Sequence, residues 1–440
     1  MFAIAITIAT VEFKIEKLIY GGDGIARLPP DERGPGKTVF VPFVLENEVV
    51  DAELTEQRPG FARSSLKTVI QPSPDRVQPP CPYFQRCGGC HYQHADYRHQ
   101  LAIKETILRE TLRRTAKMEL PCELQIHCAE PWNYRNRTRM KVEPQPAFAL
   151  GYYKFRSHEL LPIEQCPISS PLINRAIFAL WEKGRAGEID PCIREIELFA
   201  NHIDSALLLE FYCAPGTPTS QAQAIAESLR SLLPEIRGAS VFEISVRPGR
   251  EPDRLASAGA FALSYQARSA TYRVSAGSFF QANRYLLDEL VEIATRGASG
   301  ALALDLYAGV GLFSLALARS FAQVIAVESS QTSYHDLRQN APREVKAVRA
   351  TTEQYLGKVF GVRPDLVVAD PPRGGLGENV VRDLAKLSSP RITYVSCDPS
   401  TLARDLRMLL TLGYQIKEAH LVDLFPQTFH LESVFQLARR

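Results

Sequence analysis

Ala301-Leu-Ala-Leu-Asp305-Leu-Tyr-Ala-Gly309-Val-Gly311-Leu-Phe313 reads as an apolar strand, a loop with two glycines and the first turn of an apolar helix. The glycines let a ligand approach the backbone closely, and Asp305 ends the strand beside them. The next apolar run, Gln323 to Val327, ends in Glu328, nineteen residues beyond Gly309, where an acid can accept both hydroxyls of a ribose. The full dinucleotide fingerprint is absent, so an adenosine ligand without a pyrophosphate suits the loop better than NAD, and S-adenosylmethionine is the natural choice. The alternation of strand, loop and helix predicts a Rossmann-like α/β domain over residues 269–440.

Two further strands end on the same rim. Leu366-Val-Val-Ala-Asp370-Pro-Pro-Arg373-Gly374 stops in an acid and a rigid Pro-Pro turn. Arg391-Ile-Thr-Tyr-Val-Ser-Cys397-Asp-Pro-Ser-Thr401 delivers one thiol to a strand end, where open parallel sheets bind their ligands. Cys397 is thereby a candidate nucleophile, the plainer alternative being a buried free cysteine. Asp423-Leu-Phe-Pro426-Gln-Thr-Phe-His430-Leu-Glu432 interrupts the last strands as a loop over the rim. Within it Glu432 is either a surface carboxylate or a tuned base.

Length and composition frame the rest. The chain has 440 residues, more than one ordinary core accommodates, and about three domains are expected. Hydrophobic content of 45%, charged content of 23% and a net charge of +2 are those of an ordinary globular protein, so any nucleic-acid surface must be local. No apolar run reaches the ~18 residues that span a bilayer, and Met1 to Thr10 lacks the basic region and cleavage site of a signal peptide, so it reads as a strand or a frayed leader. Nine cysteines without an export signal argue for a reducing cytoplasm and for metal or catalytic use of thiols.

Residues 11–70 hold short strands, Val11 to Tyr20, Thr38 to Val44 and Glu48 to Leu54, separated by Gly/Pro-rich turns, and predict a small OB-like β-barrel. Gln71 to Pro80 is a proline-rich linker. Cys81-Pro-Tyr-Phe-Gln-Arg-Cys87-Gly-Gly-Cys90-His91 then brings three thiols within ten residues, with Cys166 before Pro167 the best fourth. Four thiolates suit zinc or a [4Fe-4S] cluster equally. Cys122, Cys128, Cys192 and Cys213 are scattered and read as structural. Arg98 to Lys117 has helical character and is expected to connect domains and pack on the catalytic one. In the central region, 71–268, Tyr134 to Lys141 alternates at strand period and sets Arg135, Arg137, Arg139 and Lys141 on one face, with Tyr152, Tyr153 and Phe155 following. This is a candidate RNA surface; the alternative is a charged edge strand that resists aggregation.

Asp370-Pro-Pro-Arg-x-Gly, Tyr394-Val-Ser-Cys397, Asp423-Leu-Phe-Pro-Gln-Thr-x-His-Leu-Glu432 and Ser278-Phe-Phe-Gln281-Ala-Asn283 together resemble the RNA 5-methyluridine methyltransferases. The resemblance covers nearly the whole chain and implies a class I S-adenosylmethionine methyltransferase domain, an N-terminal TRAM barrel and a central α+β domain bearing a four-cysteine centre. It tips that centre, with ligands Cys81, Cys87, Cys90 and Cys166, toward [4Fe-4S]. It implies Cys397 as the nucleophile that adds to carbon 6 of uracil, Glu432 as the base that removes the carbon 5 proton, and Gln281, Tyr307, Glu328 and Asp370 as cofactor contacts. Phe279 is implied to stack on the target uridine. Asp398 stands where asparagine is more usual, and Leu312 stands where many members have a polar residue, so Leu312 is assigned no cofactor bond. The TRAM barrel with a cluster looks more like the enzymes of large-subunit (23S) ribosomal RNA than the bacterial transfer-RNA enzyme, although archaeal relatives with a cluster act on transfer RNA. A monomeric cytoplasmic protein without a membrane partner is expected. A 5-methylcytidine methyltransferase and a catalytically silent RNA-binding protein are the alternatives; retention of both Cys397 and Glu432 argues against the second.

Overall fold

A computed structural model describes residues 10–29, 36–245, 251–268, 270–359 and 361–440. The expected leader strand thus lies outside the described residues, apart from Thr10. The chain divides into two compact units, one running to Glu110 and reclaiming Phe425–His430, the other made of Thr111–Leu424 and Leu431–Arg440.

The first unit is built on a six-stranded sheet in the order Thr10–Lys14, Val49–Gln57, Phe61–Gln71, Thr38–Pro42, Asp23–Arg27, Lys17–Leu18. Alternation decides its inner face. Val39 and Val41 are buried on either side of half-buried Phe40, and they join Phe13, Ile15, Val50 and Ala52 in one apolar cluster. Two of the strands, Asp23–Arg27 and Phe61–Gln71, have no counterpart in the sequence reading. The first contains Gly24, and the second is polar and pairs with Val49–Gln57 through three register irregularities. The sheet is tied to the following linker by fully buried Glu48, whose carboxylate takes two bonds from the Arg76 guanidinium and one each from the Leu45 and Ser73 amides.

The helix Tyr97–Thr111 turns Ile103 and Ile107 into a cluster with Leu18, Leu45, Tyr92 and Ala95 of the first unit. Its π-helical continuation Leu112–Ala116, in the second unit, packs on the helix Pro399–Thr411 of that unit.

The second unit contains two large sheets. The central one has seven strands in the order Leu160–Pro162, Ala149–Tyr153, Arg137–Glu143, Ile193–Ala200, Leu207–Cys213, Ile236–Glu243, Asp253–Gly259. A hairpin, Ala262–Ala267 with Ala270–Ser275, straddles the boundary expected at residue 268. The other sheet has eight strands: Val345–Arg349, Phe321–Glu328, Gly300–Leu306, Leu366–Ala369, Arg391–Ser396, Glu432–Arg439, Tyr414–Val422, Leu124–His127. The first five are parallel, as expected for a Rossmann-like domain, and Glu432–Arg439 is inserted antiparallel between Arg391–Ser396 and Tyr414–Val422. Chain order reverses between Gly300–Leu306 and Leu366–Ala369, which makes the carboxyl ends of these two strands the switch point where such sheets form their crevice. No described helix is long and apolar enough to cross a membrane.

Candidate active site

At the switch point the chain leaves Leu306 through Tyr307, Gly309 and Gly311, all with positive φ (+61°, +56° and +96°). Gly311 has two reasons to be glycine. Its φ suits no other residue well, and a Cβ there would meet Leu337 Cδ1 at 2.9 Å. The turn is closed by Glu328, whose carboxylate accepts the Gly309 amide at 2.8 Å and the Ser330 amide at 2.6 Å. The acid expected to read a ribose therefore also fixes the loop beside which the ligand would lie. Leu312 is buried, and its carbonyl accepts the Tyr272 hydroxyl at 3.0 Å.

Three carboxyls crowd this rim. Asp305 is fully buried; Ser314 Oγ donates to its Oδ2, and its Oδ1 has no hydrogen-bond partner among the described residues. Burial pushes its carboxyl up to about 7, opposed by the Ser314 hydroxyl and reinforced by the Asp370 and Glu328 charges. Asp370 follows the adjacent strand, accepts Gln281 Nε2 at 3.5 Å, and is pushed up to about 7 by desolvation. Glu432, 3% exposed, is held well above the usual carboxylate range by burial and then by the Asp370 charge.

Cys397 and Glu432 meet through register. Ser396 pairs with Ser433 at the end of the antiparallel ladder, so the next step along each strand sets Cys397 opposite Glu432. Asp398 follows as the N-cap of Pro399–Thr411, its Oδ1 accepting the Ser400 and Thr401 amides at 2.9 Å each. An asparagine oxygen could take the same two bonds, which makes this departure from the family pattern chemically small; the ionised form adds a favourable charge at the helix N-terminus. Burial, then the Glu432 and Asp370 charges, push the Cys397 thiol up to about 12, and Arg373 is the nearby cation that opposes them. Among these neighbours nothing favours a thiolate enough to outweigh burial and the two carboxyls.

Burying Asp370 has an energetic cost. The folded pKa of Asp370 lies above its ordinary 3.8, so its contribution to stability is full below about pH 4 and is lost as pH rises through about 7. Asp370→Asn is expected to raise Tm at pH 8, by roughly 2–4 °C per kcal/mol relieved, with the gain vanishing toward pH 4. A calorimetric gain equal at both pH values would contradict this origin.

The loop Ser278–Asn283 contributes the remaining predicted residues. Phe279 projects outward, 69% exposed, while Phe280 and Gln281 turn inward at 3% and 7%. An aromatic ring left in solvent beside a buried one suits a stacking platform. Asn283 holds the loop end, donating to Leu424 O and accepting the Tyr285 and Leu286 amides.

The basic strand departs from expectation. Arg135 lies outside the strand, in isolated bridges to Ser169 and Asn283. Arg137 pairs with Glu197 and Glu210, and Lys141 with Glu195. Arg139 pairs with Glu195, lies 3.6 Å over the Tyr212 ring and keeps a 43% exposed side chain. For Arg137, 11% exposed, the structure corrects the reading of an open phosphate contact: its charge is met internally. One signal in the sequence pointed there. Leu207-Leu-Leu-Glu210-Phe-Tyr-Cys213 carries a single acid in an apolar strand that is buried throughout, and a buried acid needs a partner.

Of the proposed cluster ligands, Cys90 is buried and Cys81 and Cys87 are half-buried in the first unit, with the Gly89 amide donating to Cys87 Sγ at 3.4 Å. Cys166 belongs to the second unit, where Asn174 pins both its amide and its carbonyl. Among the described residues no three His, Cys, Asp or Glu side chains gather as a ligand set. The spacing and the N–H···S contact suit a thiolate centre.

Comparison with known proteins gives this geometry a context. Residues 260–440 match the family described as tRNA (Uracil-5-)-methyltransferase, and residues 8–67 match the TRAM domain. An uncharacterized RNA methyltransferase of Aquifex aeolicus is 32% identical over 96% of this chain and 97% of its own length. One from Thermosynechococcus vestitus is 31% identical over 97% of each. Among solved structures, Pyrococcus abyssi tRNA (uracil-54, C5)-methyltransferase, in complex with S-adenosyl-L-homocysteine, superposes with a TM-score of 0.76 at 24% identity, covering 97% of this chain and all of its own. At that identity the likeness shows the fold alone. With the family match over the catalytic sheet and relatives aligned along nearly their whole length, the chain belongs to the TRAM-containing RNA (uracil-5-)-methyltransferase family.

Proposed function

We propose that the protein transfers the methyl group of S-adenosylmethionine to carbon 5 of a uridine in RNA through a covalent Cys397 adduct. The observation that carries this reading is the opposition of Cys397 and Glu432 across the Ser396–Ser433 ladder end, with Asp370 on the neighbouring strand. Carbon 5 of uracil is a poor nucleophile, so the pyrimidine must be activated covalently. Cys397 Sγ bonds to carbon 6, and the displaced π electrons form an enolate. When bound, S-adenosylmethionine supplies the electrophilic methyl that carbon 5 takes. Glu432 accepts the carbon 5 proton, the double bond reforms, and the Sγ–carbon 6 bond breaks. Burial and the neighbouring carboxyl charges favour the protonated thiol, so addition needs an acceptor for its proton; Asp370 takes it, which leaves Glu432 ionised for the carbon 5 proton, and returns it to Sγ at elimination. Glu328, Tyr307, Gln281 and Asp370 would hold the cofactor, and Phe279 would stack on a uridine drawn out of its helix. Incubation with RNA and tritiated S-adenosylmethionine, followed by nucleoside analysis, should yield 5-methyluridine; label in 5-methylcytidine or none at all would defeat the proposal.

Large-subunit ribosomal RNA is the proposed substrate, supported by the TRAM barrel together with the cysteine loop. Transfer RNA is the second reading, favoured by the whole-chain likeness to the archaeal fold. Mapping 5-methyluridine in both RNA classes from a deletion strain decides between them. We further propose a [4Fe-4S] cluster on Cys81, Cys87, Cys90 and Cys166, supported by the spacing and the Gly89 amide on Cys87. Anaerobically purified protein should then carry about four iron atoms per chain and absorb near ~400 nm; stoichiometric zinc would refute it.

A further inference from the structure

Phe279 is exposed, so no packing of its own ring fixes where it points. Its position must come from the peptide groups before it, and these are held from two sides. On the methyltransferase side, Asp336 accepts the Ser275 amide, the Ser275 hydroxyl and the Ser278 hydroxyl at 2.6–2.7 Å. On the central-sheet side, Glu210 Oε2 accepts the Gly277 amide at 3.0 Å, and the Arg137 guanidinium donates to the Ser278 carbonyl. The two central-sheet groups are themselves joined, Arg137 Nη2 to Glu210 Oε1 at 3.2 Å. Gly277 has φ +84°, and a Cβ there would meet nothing closer than 3.6 Å, so it is the turn and not crowding that requires glycine.

We infer that Arg137 and Glu210 are positioning residues that clamp the peptide groups on either side of the Gly277–Ser278 peptide and thereby aim Phe279 at the target base. The inference rests on the methyltransferase reading for what Phe279 meets, and on geometry alone for the clamp. It gives the basic strand a different task from phosphate tracking. The loop residue reaches RNA, and the arginine reaches the loop.

Glu210→Leu is the informative change, because it leaves Arg137 paired with Glu197 and so leaves no uncompensated cation in the sheet. The holoprotein variant is expected to show about tenfold faster hydrogen exchange in the peptide spanning residues 275–282, with exchange in Ile193–Ala200 and Leu207–Cys213 unchanged. Formation of the adduct with 5-fluorouridine RNA should slow by a similar factor. Glu210→Gln, which keeps an acceptor for the Gly277 amide, should restore most of both. Tyr212→Phe removes the hydroxyl bonds to Glu210 (2.8 Å) and Glu197 (3.4 Å) but neither loop contact, and should behave as wild type. Loop exchange that stays slow, or loosening shared equally by the central strands, overturns the clamp. Faster loop exchange with an unchanged adduct rate overturns the positioning role. If the wild-type protein forms no adduct, the methyltransferase reading fails, while the exchange measurement still decides the clamp.

Discussion

Cys397→Ala is expected to abolish methyl transfer, by on the order of 10⁴-fold or more, and to leave no covalent complex with 5-fluorouridine RNA. The fluorinated base is the stringent substrate. Once carbon 5 carries both methyl and fluorine there is no proton to remove, so the wild-type adduct cannot eliminate and should migrate on a denaturing gel with tritium from S-adenosylmethionine. Cys397→Ser should resemble alanine, because a hydroxyl adds to carbon 6 far less readily than a thiolate. The remaining eight cysteines make the result discriminating. Cys128 is exposed just beyond Leu124–His127, the outer strand of the same sheet, and Cys213 is buried in the central sheet. An adduct that survives Cys397→Ala would move the nucleophile to one of these and remove the basis for the proposed reaction. The pH profile is equally constrained. With the thiol pushed up to about 12 and two adjacent carboxyls raised, the single-turnover rate should climb through about pH 7 as Asp370 becomes able to take a proton.

How far the sequence could be read depended on whether the deciding contact was local. Asp305, Glu328, Asp370 and Cys397 each follow an apolar run directly, so their arrival at one rim needs only a parallel sheet, and the sheet supplies it. The opposition of Cys397 and Glu432 was not legible, because it depends on Glu432–Arg439 being inserted antiparallel beside Arg391–Ser396. The basic strand shows the same limit. Period two put Arg137, Arg139 and Lys141 on one face, but what covers that face is set by pairing with Ile193–Ala200, whose register places Glu197 opposite Arg139 and Glu195 opposite Lys141. Phe61–Gln71 was missed for a related reason. Its alternation is weak, and its place in the barrel comes from partners on both sides. Asp336 had no local signal at all, since an acid on a polar helix usually faces water and this one is buried under the Ser275–Ser278 turn.

Glu432→Gln separates the two halves of the proposed reaction. Glutamine preserves shape but cannot accept the carbon 5 proton, so addition of Cys397 and methyl transfer should proceed while elimination stalls. On ordinary uridine RNA the wild-type adduct is transient. In the variant it should accumulate as a methylated covalent complex, with turnover reduced about 10²–10⁴-fold. The electrostatics predict a second, opposite effect on the first step. Glu432 is one of the charges that keep the thiol protonated, so its neutral replacement should lower the Cys397 pKa, and the rate of iodoacetamide alkylation of Cys397 should rise at pH 8. Burial contributes more than either charge to that thiol, which makes the increase modest beside the loss of turnover. A slow variant that forms no adduct on ordinary RNA would mean that Glu432 assists addition instead, and Asp370, raised by the same desolvation and one strand away, would then be the group left to take the carbon 5 proton.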